Sequence, residues 1–319
     1  MSFIPLRRWV RLIKICDIII CEMNINTKLH KLILKNPVVL ASGTFDRSIT
    51  NQIDINKLGG IVTKTITLQP REGNPLPHIV KTKYGFLNSV GLKNVGVKKY
   101  ITDELPFWQK FSTIVIPSIG GETIEEYIKL AKMLDTQNIK ALEVNISCPN
   151  VAHGGMSFGT DSKIIKKLVT GVRKNFSKTL IVKLTPNVTN IKETAKIALS
   201  SEADILSIAN TFLGLEIDNK KKKPILHRVT GGYSGPAIKP MALRAVYEVY
   251  KDSKCAIIGG GGITDFSDAL DFVICGASAI SIGSGMYLDR KLPEKIVTGF
   301  EKYFKENKID NINKIKGKI

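Results

Sequence analysis

Eight short runs of β-branched and other apolar residues recur along the chain, each followed by a longer segment of mixed character. The runs are NPVVLAS (36–42), GGIVTK (59–64), STIVIPS (112–118), KALEVNIS (140–147), TLIVKL (179–184), ADILSIAN (203–210), CAIIGG (255–260) and ASAISIG (277–283). Near-continuous apolar runs of this length predict strands covered on both faces, the habit of parallel sheets. The intervening segments, TIEEYIKLAKMLDT and SKIIKKLVTGVRKNF among them, repeat apolar residues at the i, i+3, i+4 spacing of amphipathic helices. Eight such units in about 280 residues predict an α/β chain folded as a (β/α)8 TIM barrel. A doubly wound open sheet is the alternative, but it more often uses five or six strands.

Two connections are too long for simple turns: Thr65–Lys93, which holds Pro70, Pro75 and Pro77, and Thr211–Gly235, which holds the lysine run 220–223. Both follow barrel strands, which places them over the C-terminal mouth, where long loops cover or shape a site. The expected organisation is one domain over 23–319 with an extension over 1–22. In that extension, MSFIPLRRWVRLIKICDIIICE, Lys14 and Asp17 keep every apolar run short of the ~20 residues a spanning helix needs. It also lacks a small-residue cleavage site of the secretory kind. It reads either as a short amphipathic surface helix or as sequence ahead of a true start at Met23. The second reading is favoured, because MNINTKLHKLILKNPVVL has the look of an N-terminal hairpin leading into the first strand.

Composition changes this picture little. A chain of 319 residues, 43% hydrophobic, can bury one large core. The five cysteines, Cys16, Cys21, Cys148, Cys255 and Cys275, form no CxxC pair. That excludes a disulfide framework or zinc ribbon and predicts a reducing, cytoplasmic compartment. The net charge of +19 admits a nucleic-acid reading. The lysines, however, are dispersed apart from 220–223 and the tail, and no nucleic-acid-binding motif accompanies them. Solvated helix faces are the favoured account.

In a barrel, polar residues at strand C-termini face the site. Collected here, they are Ser42, Lys64, Ser118, Asn145, Lys183, Asn210, Gly261, Gly262, Gly283 and Ser284. Lys64, Asn145 and Lys183 each close an apolar strand, a costly placement without a partner. IIGGGGI (257–263) and SIGSG (281–285) put glycine turns after the last two strands, the phosphate position of this fold. Thr264 or Ser284 would add a hydroxyl there. Phosphate binding together with lysines at the mouth suits flavin mononucleotide (FMN), with Lys183 beside the N1/O2 edge of the ring. Cys255 and Cys275 lie in or beside apolar runs and read as packing residues. Cys148 instead enters a loop bounded by Pro149, where a thiol can act as base or nucleophile. A Cys–His hydrolase using His153 would leave the flavin-like features unexplained.

NISCPNV (145–151), GGMSFGTD (154–161), VKLTPNVTNI (182–191), REGNPLPHI (71–79), LNSVGLKN (87–94) and TGGYSGPAIKP (230–240) resemble dihydroorotate dehydrogenase of the cysteine-based class 1. The resemblance runs in order from about Asn24 to about Tyr287 and is nearest to the class 1B, NAD-linked catalytic subunit. It implies an enzyme of pyrimidine synthesis that oxidises dihydroorotate to orotate. Cys148 would take a proton from C5 while a hydride passes from C6 to FMN, and the loop after strand four would close as a lid. Asn88, Asn145 and Asn210 would grip the substrate with Lys64, Thr211 and the backbone of Ser89, Val90, Gly91 and Leu92, and Asn150 is a further candidate. FMN would contact Ser42, Lys64, Thr65, Asn145, Lys183, Gly235, Gly261, Gly262, Gly283 and Ser284.

Four positions depart from the family pattern. Ser118 stands where asparagine is usual near the flavin, Ala209 replaces a bulkier residue there, Tyr233 replaces leucine and Ser284 replaces threonine. Class 1B further implies a homodimer within a heterotetramer, whose partner subunit carries FAD and a [2Fe–2S] cluster. This chain has neither a dinucleotide fingerprint nor a cysteine cluster for them. The alternatives are a fumarate-linked class 1A homodimer and a barrel that binds ligand without turnover.

Overall fold

In a computed structural model, residues 25–147 and 158–319 are described. The extension 1–22 lies outside them. All eight expected runs form strands: Val38–Leu40, Gly60–Val62, Ile114–Ile116 continuing as Ser118–Ile119, Ala141–Asn145, Thr179–Lys183, Ile205–Ile208, Ala256–Gly259 and Ala279–Ile282. They pair in parallel, in chain order, and the last pairs back to the first. The third strand is interrupted at Pro117, which has no N–H to give to a ladder. Its first half pairs with the second strand and its second half with the fourth, where Glu143 N–H donates to the Pro117 carbonyl at 2.8 Å. The sheet therefore closes, and the fold is a TIM barrel.

Side chains alternate along a strand, so one residue in two faces the barrel axis. A lower inward layer is wholly apolar: Val39, Val62, Ile116, Ala141, Ile181, Ile205, Ile258 and Ala279. Leu29, Leu32 and Leu34 pack onto it. They come from the antiparallel hairpin Thr27–Leu29 and Leu32–Leu34, the hairpin the sequence predicts. This hairpin plugs the N-terminal end of the barrel and is pinned by Thr27 Oγ1, which donates to the Ser278 carbonyl at 2.6 Å. Two residues further along each strand the character changes to Ala41, Lys64, Ser118, Glu143, Lys183, Ser207, Gly260 and Ser281.

Outside the barrel, Ile124–Asp135, Ser162–Arg173, Ile191–Ser200, Lys239–Ser253, Phe266–Ile274 and Leu292–Glu306 form the covering helices. Four of them begin at a side chain that accepts a backbone N–H of the first turn: Thr123, Asp161, Asn190 and Asp265. The first unit has only the 3-10 turns Arg47–Asn51 and Ile55–Lys57 in place of a helix. No helix of the described residues is long and apolar enough to cross a membrane.

The two long connections are not separate loops. Strands Phe212–Gly214, Gly231–Ser234, Phe86–Asn88 and Ile79–Lys81 pair in that order as one antiparallel sheet above the mouth. The lysine run sits in an exposed hairpin beside it, where Asp218 accepts the N–H groups of Lys220 and Lys221.

The hairpin plug generates a prediction. Leu32 is almost fully buried at the barrel base, so Leu32→Ala is expected to lower unfolding stability by about 2–5 kcal/mol. Urea denaturation followed by circular dichroism checks this, and a loss under about 1 kcal/mol would show that the plug is not packed as described.

Candidate active site

The polar layer forms the floor of a cavity open at the C-terminal mouth. Its wall includes Lys64, Lys183, Ser207 and Ser281 from the floor, Asn145 and Ser147 above the fourth strand, and Asn210 and Thr211 after the sixth. The crown sheet contributes Ile79, Phe86, Asn88 and Gly232, and the segment after it contributes Val90, Gly91 and Leu92. Gly260–Gly262 and Gly283–Gly285 close the opposite side.

The amides are held by one another and by backbone. Asn145 Oδ1 accepts from Asn210 Nδ2 at 3.3 Å and from the Ser147 N–H at 3.2 Å. Asn210 Oδ1 accepts from the Thr211 N–H at 2.8 Å. Asn88 Nδ2 donates to the Gly232 carbonyl at 3.1 Å, across the crown sheet. Each is thereby fixed in orientation while keeping capacity for further bonds. Lys183 is only 9% exposed, and no acceptor for its amino group lies within hydrogen-bond distance among the described residues. Lys183 is therefore not a surface lysine. Lys64 directs its amino group to the first loop, where a Cβ on Gly43 would lie 3.3 Å from it.

The glycine turns form a cradle. Gly261 and Gly262 have φ of +132° and +80°, a region that L side chains rarely adopt. A Cβ at Gly262 would stand 2.8 Å from the Lys239 nitrogen and 3.0 Å from the Gly235 carbonyl. Of the two candidate hydroxyls, Ser284 lines the cavity, whereas Thr264 turns away and donates to Asp268 at 2.7 Å. Asp268 also pairs with Lys239, as does Asp271 at 2.7 Å. Burial works against the Lys239 charge, but these two carboxylates outweigh it and hold its pKa above the usual lysine value.

The model of the dihydroorotate dehydrogenase family matches residues 24–304. The chain belongs to the dihydroorotate dehydrogenase family. It is 47% identical over 299 residues to the "Dihydroorotate dehydrogenase B (NAD(+)), catalytic subunit" of Desulforamulus reducens, covering 93% of this chain and 98% of that one. It is 45% identical over 289 residues to the protein of the same name from Geotalea uraniireducens, covering 90% and 95%. It is also 45% identical over 299 residues to that of a Thermoanaerobacter species, covering 93% and 99%.

Dihydroorotate dehydrogenases use FMN, and three features of this cavity fit that group. Its glycine turn can approach a phosphate without a Cβ, its floor carries the buried Lys183, and Ser147 Oγ is buried on its wall with no hydrogen-bond partner among the described residues. Of the residues expected from the family pattern, Ser42, Lys64, Thr65, Asn88, Val90, Gly91, Leu92, Asn145, Lys183, Ala209, Asn210, Thr211, Gly261, Gly262, Gly283 and Ser284 all line the one cavity. Ser89, Ser118 and Gly235 do not. Ser89 lies behind the wall, with its carbonyl accepting from Asn74 Nδ2 at 2.7 Å. Ser118 is fully buried beneath the wall. Gly235 backs the Gly262 turn. Cys148 and Asn150 lie outside the described residues. The Cys255 and Cys275 thiols are both pushed up in pKa by burial, which disfavours the reactive thiolate and agrees with a packing role.

Several supporting residues escaped the sequence reading. Asn187 joins the loops after strands five and six: its Nδ2 donates to the Thr211 carbonyl at 3.0 Å and its Oδ1 accepts from the Leu213 N–H at 2.8 Å. Tyr127, on the helix outside the barrel, donates its hydroxyl to the Asn145 carbonyl at 2.9 Å. Tyr287 caps the cavity edge-on to Phe86, with ring centroids 5.3 Å apart.

The cradle geometry predicts that Gly262→Ala weakens FMN binding by at least about tenfold, because the new methyl meets both strain and the Lys239 backbone. Quenching of flavin fluorescence during titration of apoprotein measures it. Affinity equal to the parent chain would remove the phosphate cradle from this turn.

Proposed function

We propose that this chain is the catalytic subunit of an NAD-linked dihydroorotate dehydrogenase, oxidising dihydroorotate to orotate for pyrimidine synthesis. The observation that carries the reading is the convergence of Asn88, Asn145, Asn210 and Lys64 on a cavity that also holds Lys183 and the glycine cradle.

The product orotate is a planar anion with amide-like edges, and dihydroorotate presents the same carboxylate and amide groups. Three oriented side-chain amides supply donors and acceptors to those edges, and Lys64 adds a positive charge. Cys148, as thiolate, accepts the proton from C5 of the substrate while a hydride leaves C6, and the C5–C6 double bond forms. Bound FMN supplies the two-electron acceptor for that hydride. Gly261, Gly262, Gly283 and Ser284 would hold its phosphate, and Lys183 would place positive charge beside the ring system. The loop after strand four, expected as a lid, falls largely outside the described residues.

The names of the relatives support an oxidant reached through a second subunit. We place FAD and a [2Fe–2S] cluster on that partner, within a heterotetramer built on a homodimer of this chain. Among the described residues there is no group of three or more His, Cys, Asp or Glu that would hold a metal. Cysteine usage supports a cytoplasmic setting.

Anaerobic addition of dihydroorotate to the purified, FMN-loaded chain is expected to bleach the flavin absorbance. Cys148→Ala is expected to keep the flavin and lose at least about a hundredfold in bleaching rate, the base being gone while the cradle survives. A near-normal rate in that variant would remove Cys148 as the base. Reoxidation by NAD+ only with a partner subunit is expected, and rapid reoxidation of the isolated chain by fumarate would assign it to class 1A instead.

A further inference from the structure

Glu143 is a carboxylate inside the barrel, 2% exposed, and nothing in the proposed reaction uses it. It lies two residues before Asn145 on the fourth strand, so both face the axis. At its level the neighbouring strands present Ser118 on one side and Ile181 on the other. Ser118 is itself fully buried and donates its hydroxyl to Glu143 Oε1 at 2.9 Å. From Ser118 a line of hydroxyls climbs to the cavity: Ser118 Oγ is 3.0 Å from Thr65 Oγ1, which is 3.1 Å from Ser42 Oγ. Thr65 and Ser42 both line the cavity.

A hydroxyl has one proton to give. An ionised carboxylate can only accept, so the Ser118 proton is committed to Glu143. Thr65 must then donate to Ser118, and Ser42 must donate to Thr65. Ser42 Oγ also accepts the Thr65 N–H at 3.0 Å. Its proton therefore points into the wall, and one lone pair remains for the cavity. The Glu143 carboxylate, separated from Ser42 by the two hydroxyls of Ser118 and Thr65, decides that the cavity meets an acceptor at Ser42 rather than a donor.

We propose that Glu143 is a positioning residue that sets the hydrogen-bond polarity of Ser42, and through it the preference of this part of the cavity for an N–H-bearing edge of the bound ring system. The proposal rests on the reading of the cavity as an FMN site. Glu143→Leu, which leaves Ser118 free to turn its proton upward, and Ser118→Ala, which cuts the chain in the middle without changing charge, have the same predicted consequence. Each lowers the affinity of apoprotein for FMN about tenfold. Each also shifts the absorption spectrum of bound FMN in the same direction, which a loss of stability alone would not do.

A double-mutant cycle completes the test, with FMN affinity from fluorescence titration and spectra of the reconstituted proteins as readouts. If the chain of hydroxyls is the route, Ser42→Ala alone reproduces the change, and adding Ser118→Ala to it alters affinity less than twofold. Multiplicative effects of Ser42→Ala and Ser118→Ala would overturn the proposal, as would an unchanged affinity and spectrum in Ser118→Ala. Ser118→Ala keeps these arms decisive if Glu143→Leu fails to fold. Failure of the unmodified chain to bind FMN would instead overturn the underlying reading, a result distinct from normal binding in all variants.

Discussion

Everything about the site follows from a change of character within one strand period. Each barrel strand presents an apolar residue to the axis and, two residues later, a small, polar or charged one. The lower ring packs with the N-terminal hairpin into a dry base. The upper ring is then held over hydrocarbon on one side and open to the mouth on the other. Charges in such a layer are tolerable only with partners or a ligand. That constraint makes Lys183, Glu143 and Lys64 informative: each is a charged residue type in this layer, so each needs a counterpart. For Glu143 the counterpart is a hydroxyl, and for Lys183 the cavity itself.

The barrel was legible because parallel strands buried on both faces leave a contiguous signal. All eight runs, and the hairpin ahead of them, stand where the pattern puts them. The crown sheet was not legible. Its strands are three to four residues long, interspersed with proline and glycine, and pair between segments that carry no mutual sequence signature. Period alone cannot reveal a three-residue strand whose partner is far along the chain.

The site was legible to a similar depth and failed for a related reason. Residues at strand ends are visible as interruptions of apolar runs, so Lys64, Asn145 and Lys183 stood out. Ser118 also stood out, but being near the end of a strand does not say whether a side chain reaches ligand or stops beneath it. A serine is too short to pass its neighbour Thr65. Glu143 was hidden inside the run ALEVN, although a carboxylate in an apolar strand is the same kind of signal as the lysine in LIVKL. Asn187 and Tyr127 act at second hand, through the Thr211 and Asn145 backbones. Nothing about their residue type distinguishes them from a loop asparagine and a core tyrosine.

The crown sheet also bears on the order in which the protein becomes itself. Asn88 donates to Gly232, a partner 144 residues further along the chain. A nascent chain that has just delivered the strands bearing Lys64 and Asn145 can pair Phe86–Asn88 with Ile79–Lys81, but it cannot hold the Asn88 side chain, because Gly232 has yet to be made. The binding surface is thus a late product of synthesis, completed only when Gly231–Ser234 arrives, and a chain truncated before that point would carry much of the chemistry without the shape.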